Sequence, residues 1–521
     1  MGTYFNPQNC SFKQAVRSKI YVDKTMLISE LNEIICTESN CILVSHARRF
    51  GKSQAAGMID AYYSKGSDSR ELFSPFKIAM EDGWDEHLNK YNVIHLDIAS
   101  FADYHKEDLV DECIRRVYNE MAQEYPNIDY TQSFNVVLSQ IHQQSGDPFV
   151  IIIDEWDCVV RNHADRQDLV HRYLQFLHSM FKSEESKSFL ALAYITGILP
   201  LKKIKDESAL NNFSEFTMTN SRRLTEYFGF TEAEVQQLCQ QYNMDFETVK
   251  AWYNGYLING RHMYNPNSVC QAMINGEIES YWRGTSSFET INDLITLNYD
   301  GLKDDIMTIV EGGRVPVDIS TFKNDLTEIN SKSDALTALI HLGYLGYDAE
   351  RRRAYLPNYE VSEAYKLALE TGNWKEIAKT LRNCEELLWA TIDKETDKVA
   401  EWLELAHETY TSVLKYNDEN SLSCAITMAY FTAPAYYSVI RELPSGKGFA
   451  DIALIPRANA GKRPAMIIEL KYDKSADTAI RQIKEKRYTG ALQGYDKEIL
   501  LVAVSYDKET KHHECVIESL Q

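Results

Sequence analysis

The sequence predicts an α/β chain with three parts: an N-terminal parallel sheet, a mainly helical middle and a smaller C-terminal α/β unit. Three observations carry this. Between about residues 40 and 200, short continuous apolar runs alternate with helical patterns. From about 231 to 400 the pattern is helical and punctuated by turns. After about 400, a helical stretch is followed by two apolar runs, a helix over about 475–488 and a last run at 499–505. Continuous apolar runs suit strands buried on both faces, as in a parallel sheet. The expected domains are residues 1–230, 231–400 and 401–521.

The N-terminal runs are Cys41–Val44, Asn92–Asp97, Phe149–Asp154 and Ser188–Thr196. In the middle, Thr231-Glu232-Ala233-Glu234 is a capping-type helix start and Asn254-Gly255 a turn dipeptide. The C-terminal runs are Gly448–Ile455 and Ala465–Lys471.

Composition bounds the function. In 521 residues, 44% are hydrophobic and 25% charged, both ordinary globular values. The 32 Tyr and 20 Phe exclude a mainly disordered polymer. A net charge of −21 argues against coating nucleic acid through bulk charge, though not against a local basic groove. The ten cysteines form no CxxC pair and no zinc-type spacing, which suits reduced thiols. The N-terminus lacks the pattern of a signal peptide. The longest apolar run, Phe189–Leu201, is too short to span a bilayer, which takes about 20 residues. The expectation is a soluble, cytoplasmic protein with no membrane partner.

Residues 42–53 read Ile-Leu-Val-Ser-His-Ala-Arg-Arg-Phe-Gly-Lys-Ser. A strand runs into a loop ending Gly51-Lys52-Ser53, and a helical pattern follows, the context a phosphate-binding P-loop requires. Arg49, Phe50, Gly51, Lys52 and Ser53 are the candidate ATP-binding residues. Backbone N–H groups at the helix N-terminus would hold phosphate, Lys52 would reach the β- and γ-phosphates, and the Ser53 hydroxyl would ligate Mg²⁺. His46 stands where such loops usually carry their first glycine.

The run Phe149–Ile153 ends in Asp154-Glu155. Two carboxylates closing an apolar strand are costly unless they meet a metal or solvent at the sheet edge. Asp154 is the candidate Mg²⁺ ligand and Glu155 the candidate general base toward water. A helix N-cap at Asp154 is the competing reading. Thr196, at the end of the next run, is a candidate to orient water near the γ-phosphate, or a simple strand exit. Ser221-Arg222-Arg223 is a candidate arginine finger, or an ordinary exposed arginine pair.

In the C-terminal part, Asp451 lies inside an apolar run and Glu469-Leu470-Lys471 closes another. Residues i and i+2 of a strand face one side, so Glu469 and Lys471 project together, and a neighbouring strand can add Asp451. Two carboxylates make a hard oxygen site suited to Mg²⁺, and the lysine adds a second positive group. An exposed, salt-bridged strand edge is the alternative. From 471 to 488, six basic residues stand against three acidic ones, a local reversal of the chain's charge.

Together these motifs resemble a family of bacterial proteins that join an AAA-ATPase-like domain to a C-terminal PD-(D/E)XK nuclease-like domain. The resemblance rests on Tyr21–Thr25, Arg48–Ser53, Asp154–Asp157, Thr196–Pro200, Trp252–Tyr256, Tyr264–Pro266, Leu342–Leu345, Gly446–Ile452, Ile468–Lys471 and Ala479–Ile483. It implies a P-loop NTPase fold followed by a restriction-endonuclease-like α/β domain. It matches Asp451, Glu469 and Lys471 to the nuclease signature, Gln482 and Tyr488 to its following helix, and Glu419 to its first helix. His46-Ala47 and Phe449 depart from residues frequent in the family.

The expected function is ATP binding and hydrolysis coupled to Mg²⁺-dependent (or Mn²⁺-dependent) nucleic-acid cleavage, with DNA favoured over RNA and oligomeric assembly left open. Glu155, Asp451, Glu469 and Lys471 are the expected catalytic residues. Ser53, Asp154, Asp451 and Glu469 are the expected metal ligands. The alternatives are a nucleotide-switched sensor or adaptor whose nuclease fold binds without cutting, and an ATPase that remodels protein. The Trp-Tyr-Asn-Gly-Tyr and Tyr-Asn-Pro segments read as structural.

Overall fold

The computed structural model describes residues 2–520 except 105–107, 164–165, 202–209, 283–286, 298, 311, 324–325, 327–328, 372–374, 411–425, 427–428, 431–432, 434–436, 446–447, 457–462, 487–497 and 511. Glu419, Gly446, Lys447 and Tyr488 lie outside the described residues. Contacts divide the chain into two units. The first comprises Met1–Tyr242, Tyr253–Glu277 and Leu297–Pro357, and the second Asn243–Trp252, Ile278–Thr296 and Asn358–Gln521. The stretch 231–400 therefore contributes to both.

The first unit is built on five parallel strands: β1 (Cys41–Ser45), β2 (Asn92–Asp97), β3 (Phe149–Asp154), β4 (Leu190–Gly197) and β5 (Ser214–Thr217). Their order is β2-β3-β4-β1-β5, so β4 is inserted between the loop-bearing β1 and the acidic β3. The continuous apolar runs are explained by burial on both faces. Ile42, Val44, Val150 and Ile152 pack with Ala56, Ile59, Tyr62 and Tyr63 of helix α1 (Lys52–Tyr63). Leu43, Ile151, Ile153 and Ile195 face the other way, with Val117, Leu138 and Leu177 from three further helices.

The mainly helical middle also carries two small antiparallel sheets, absent from the sequence expectation. One has the order β6 (Phe230–Thr231), β8 (Arg261–Tyr264), β7 (Tyr256–Ile258). The other joins β9 (Arg314–Pro316), β10 (Gly346–Asp348) and β11 (Arg353–Tyr355). Strands of two to four residues are too short to print a period-two pattern. Gly255 between them needs to be glycine. Its φ is +109°, and an added Cβ would lie 1.8 Å from the Pro357 carbonyl oxygen.

The second unit holds a mixed sheet in simple sequence order: β12 (Tyr437–Ser445), β13 (Gly448–Pro456), β14 (Ala465–Tyr472), β15 (Ile499–Tyr506) and β16 (His513–Leu520). Only β14 and β15 pair in parallel. Their crossover carries helix α2 (Ala476–Lys486), which lays Ala476, Ala479, Ile480 and Ile483 on Ala465, Ile467, Leu501 and Ala503. The opposite face of β14, Ile468 and Leu470, packs with Leu388 and Leu403.

Candidate functional sites

In the first unit the loop after β1 turns through Arg49 (φ +69°) and Gly51 (φ +88°) before α1 starts at Lys52. Phe50 is buried, while Arg49 and Ser53 are exposed. The Lys52 ammonium is buried and donates to the carbonyls of His46, at 2.8 Å, and Ala47, at 2.9 Å. Burial lowers its pKa, opposed by the charges of Glu155, Asp154 and Asp157. A desolvated cation held, among the described residues, by two main-chain oxygens at a helix N-terminus is a donor set suited to phosphate.

The strand order brings the acidic end of β3 beside β4. Thr196 Oγ1 donates to Asp154 Oδ1, which also accepts from the Glu155 amide at 3.1 Å. Glu155 takes the left-handed conformation, with φ +54°. Its carboxylate meets Arg161 at 3.2 Å. Lys52, Asp154, Glu155 and Thr196 thus lie at or just beyond the C-terminal ends of three adjacent strands, where open α/β sheets bind ligands.

Three residues here were not foreseen. Asp97 closes β2 in register with Asp154. Burial, then the Asp154 charge, raises its pKa. Its signal was present, since Asp97 ends an apolar run as Asp154 does. Asp157 is fully buried and accepts from the amides of Ile198 (3.2 Å) and Leu199 (2.9 Å). Arg161 pairs with it at 2.8 Å. The close fit extends to Gly197, where an added Cβ would lie 2.5 Å from Trp156 and 2.8 Å from Asp157 Oδ1. Of the arginine pair, Arg223 bonds to Glu30 at 3.3 Å and Glu33 at 3.5 Å within its own unit. Arg222 is exposed.

In the second unit, Asp451 follows the register of β13 one step beyond the last pair, Ile452 with Ile468. Its Oδ2 accepts from the Leu470 amide at 2.7 Å. Glu469 is 1% exposed and Lys471 6%. Both lie on the face covered by α2, and Lys471 Nζ sits 3.1 Å from Glu469 Oε1. Gln482, one turn from the end of α2, donates to the same oxygen. The fold therefore gathers Asp451, Glu469, Lys471 and Gln482 around Leu470. Among the described residues, no group of three or more His, Cys, Asp or Glu side chains is arranged to hold a metal. Asp451 and Glu469 offer two hard oxygen donors, a set that fits Mg²⁺ or Mn²⁺ completed by water or substrate oxygens.

These features define a nucleotide-binding type of parallel α/β domain and a separate mixed-sheet domain with a carboxylate–lysine centre. Residues 11–205 match the family model of predicted AAA-ATPases, and residues 418–515 match that of the PD-(D/E)XK nuclease superfamily. The chain thus joins an AAA-ATPase-like domain to a domain of the PD-(D/E)XK nuclease superfamily. An uncharacterized protein in the vnfD 5′ region of Azotobacter chroococcum mcd 1 is 22% identical over 515 residues, covering 94% of this chain and 93% of that one.

Among solved structures, the replication initiator DnaA bound to AMPPCP and single-stranded DNA aligns with 10% identity and a TM-score of 0.25. That alignment covers 64% of this chain and 81% of DnaA. The ORC2 protein of Aeropyrum pernix aligns with 11% identity and a TM-score of 0.27, covering 70% and 98%. Among the described residues, no helix is long and apolar enough to cross a membrane.

Proposed function

We propose that the first unit binds and hydrolyses ATP, and that its nucleotide state controls metal-dependent cleavage of nucleic acid by the C-terminal domain. The observation that carries this reading is the convergence of Lys52, Asp154, Glu155 and Thr196 at neighbouring strand ends. To bind phosphate, the Lys52 ammonium exchanges the His46 and Ala47 carbonyls for phosphate oxygens. Arg49, Phe50 and Gly51 shape the loop, and Ser53 and Asp154 would hold Mg²⁺. Glu155 accepts a proton from the attacking water, once its carboxylate turns from Arg161, and Thr196 orients that water.

In the C-terminal domain, Asp451 and Glu469 would hold Mg²⁺ or Mn²⁺, and Lys471 adds a positive charge beside them. A bound metal supplies charge neutralisation and an activated water. Gln482 fixes the rotamer of Glu469. We infer DNA in preference to RNA as the substrate, and a cytoplasmic setting.

The test is incubation of the purified protein with DNA and RNA, with and without ATP and with Mg²⁺ or Mn²⁺, beside Glu469→Ala and Lys52→Ala controls. Cleavage that needs Glu469 and responds to Lys52 supports the reading. ATP binding without cleavage under every condition would leave a nucleotide-switched sensor in its place.

A further inference from the structure

We propose that His46 and Ser221 act as a pair of positioning residues for the phosphate loop, bracing it from outside the strand–loop–helix motif. The proposal rests on the nucleotide reading of that loop. His46 occupies the place where glycine is usual, and every polar group of the residue but one is engaged. Its amide donates to the Gly197 carbonyl at 3.1 Å. Its carbonyl accepts from Lys52 Nζ at 2.8 Å. Its ring is fully buried, with centroids 5.2 Å from Phe228 and 6.1 Å from Phe50. Nε2 lies 2.6 Å from Ser221 Oγ, 175 residues along the chain.

The hydrogen-bond roles in this contact follow from counting protons. Ser221 has one hydroxyl proton, and its Oγ also lies 2.7 Å from the Thr217 carbonyl, which can only accept. Ser221 therefore donates to Thr217 and accepts from His46 Nε2–H, which leaves Nδ1 unprotonated. Burial, then the charge of Lys52, pushes the His46 pKa down to about 3, so the ring is neutral.

Ser221 is itself fixed. The Asn259 side chain accepts from the amides of Ser221 and Arg222, at 2.8 Å each, and ties them to the turn between β7 and β8. The far end of the loop is held likewise: the Gly229 amide donates to the Phe50 carbonyl at 3.1 Å. The Phe50 ring meets Tyr256 edge-on at 5.2 Å. Both ends of the loop are thus anchored to residues 217–264, which the P-loop motif does not include. A loop held before ligand arrives binds it without ordering cost, so loosening the brace weakens binding.

The test is ATP titration by calorimetry, with thermal unfolding in parallel, on wild type, Ser221→Ala, His46→Leu and the double variant. Each single change is expected to weaken ATP binding about five- to tenfold, and the double change by no more than the larger single. Ser221→Thr keeps the hydroxyl and His46→Gln keeps an N–H donor, so both are expected to stay within about twofold of wild type. If His46→Leu fails to fold, the Ser221→Ala and Ser221→Thr comparison decides alone. Unchanged affinity in Ser221→Ala, or effects that add in the double variant, overturns the pairing while leaving the nucleotide reading intact. Wild-type protein that binds no ATP overturns both.

Discussion

The carboxylate of Asp451 accepts a hydrogen bond from the main-chain amide of Leu470 at 2.7 Å, which sets it on the residue that separates Glu469 from Lys471. A residue of β13 is thereby fixed at the centre of the carboxylate–lysine motif of β14. A side chain so placed cannot swing to the other face of the sheet without losing a buried main-chain partner.

The first prediction follows from that arrangement. Asp451→Asn and Glu469→Gln each keep the local shape and remove a negative donor. Each is expected to lower nucleic-acid cleavage about a thousandfold while leaving ATP turnover unchanged. Paired nuclease and phosphate-release assays check it. Cleavage at the wild-type rate in either variant removes that residue from the centre.

Lys52→Ala is expected to weaken ATP binding by roughly a hundredfold or more, because a buried ammonium aimed at the loop has no substitute there. Glu155→Gln is expected to bind ATP normally and turn it over about 100- to 10,000-fold more slowly, since an amide accepts no proton from water. Calorimetry and single-turnover kinetics separate the two effects.

Asp157→Ala acts on stability. The change leaves the Ile198 and Leu199 amides without their acceptor and takes one of two carboxylates from the buried Arg161. The expected loss is about 3 kcal/mol, read as a lower thermal midpoint. An unchanged midpoint would mean that this network contributes nothing net.

A buried histidine, His46, and a partly buried one, His95, give opposite pH signatures. His46 has its folded pKa lowered to about 3 by burial, against 6.5 ordinarily. Its contribution to stability is complete above 6.5 and is lost as pH falls toward 3, because only the unfolded chain takes up the proton in that window. His95 is pushed down by burial, but its hydrogen bond to Asp60 and that residue's charge more than offset this and raise its pKa. Its contribution is complete below 6.5 and is lost as pH rises through the raised value.

Denaturant unfolding at about pH 7 and about pH 5.5 tests this. His46→Gln is expected to lose about 1 kcal/mol less than wild type on acidification. His95→Gln is expected to lose more than wild type. The same sign in both variants would refute the assignment.

Much of this protein is written in local pattern. The apolar run Cys41–Val44, the turn through Gly51 and the start of α1 at Lys52 are neighbours in sequence, so periodicity and glycine chemistry were enough to place them. The same holds for the acidic end of β3, and for Glu469 and Lys471, which share a face because strands repeat every two residues. The two small sheets of the middle region were not legible, because their strands are too short for any period to show.

Tertiary structure alone decided which strand ends are neighbours. Thr196 meets Asp154 because β4 inserts next to β3, and Asp97 joins them through register with β3. Asp157 finds its amides on the turn after β4, His46 finds Ser221 beyond β5, and Gln482 reaches Glu469 by the crossover between β14 and β15. These partners are set by crossover connections and sheet register. Such long-range pairings satisfy buried polar groups, and sequence periodicity states that a group will be buried without stating which distant group will pair with it.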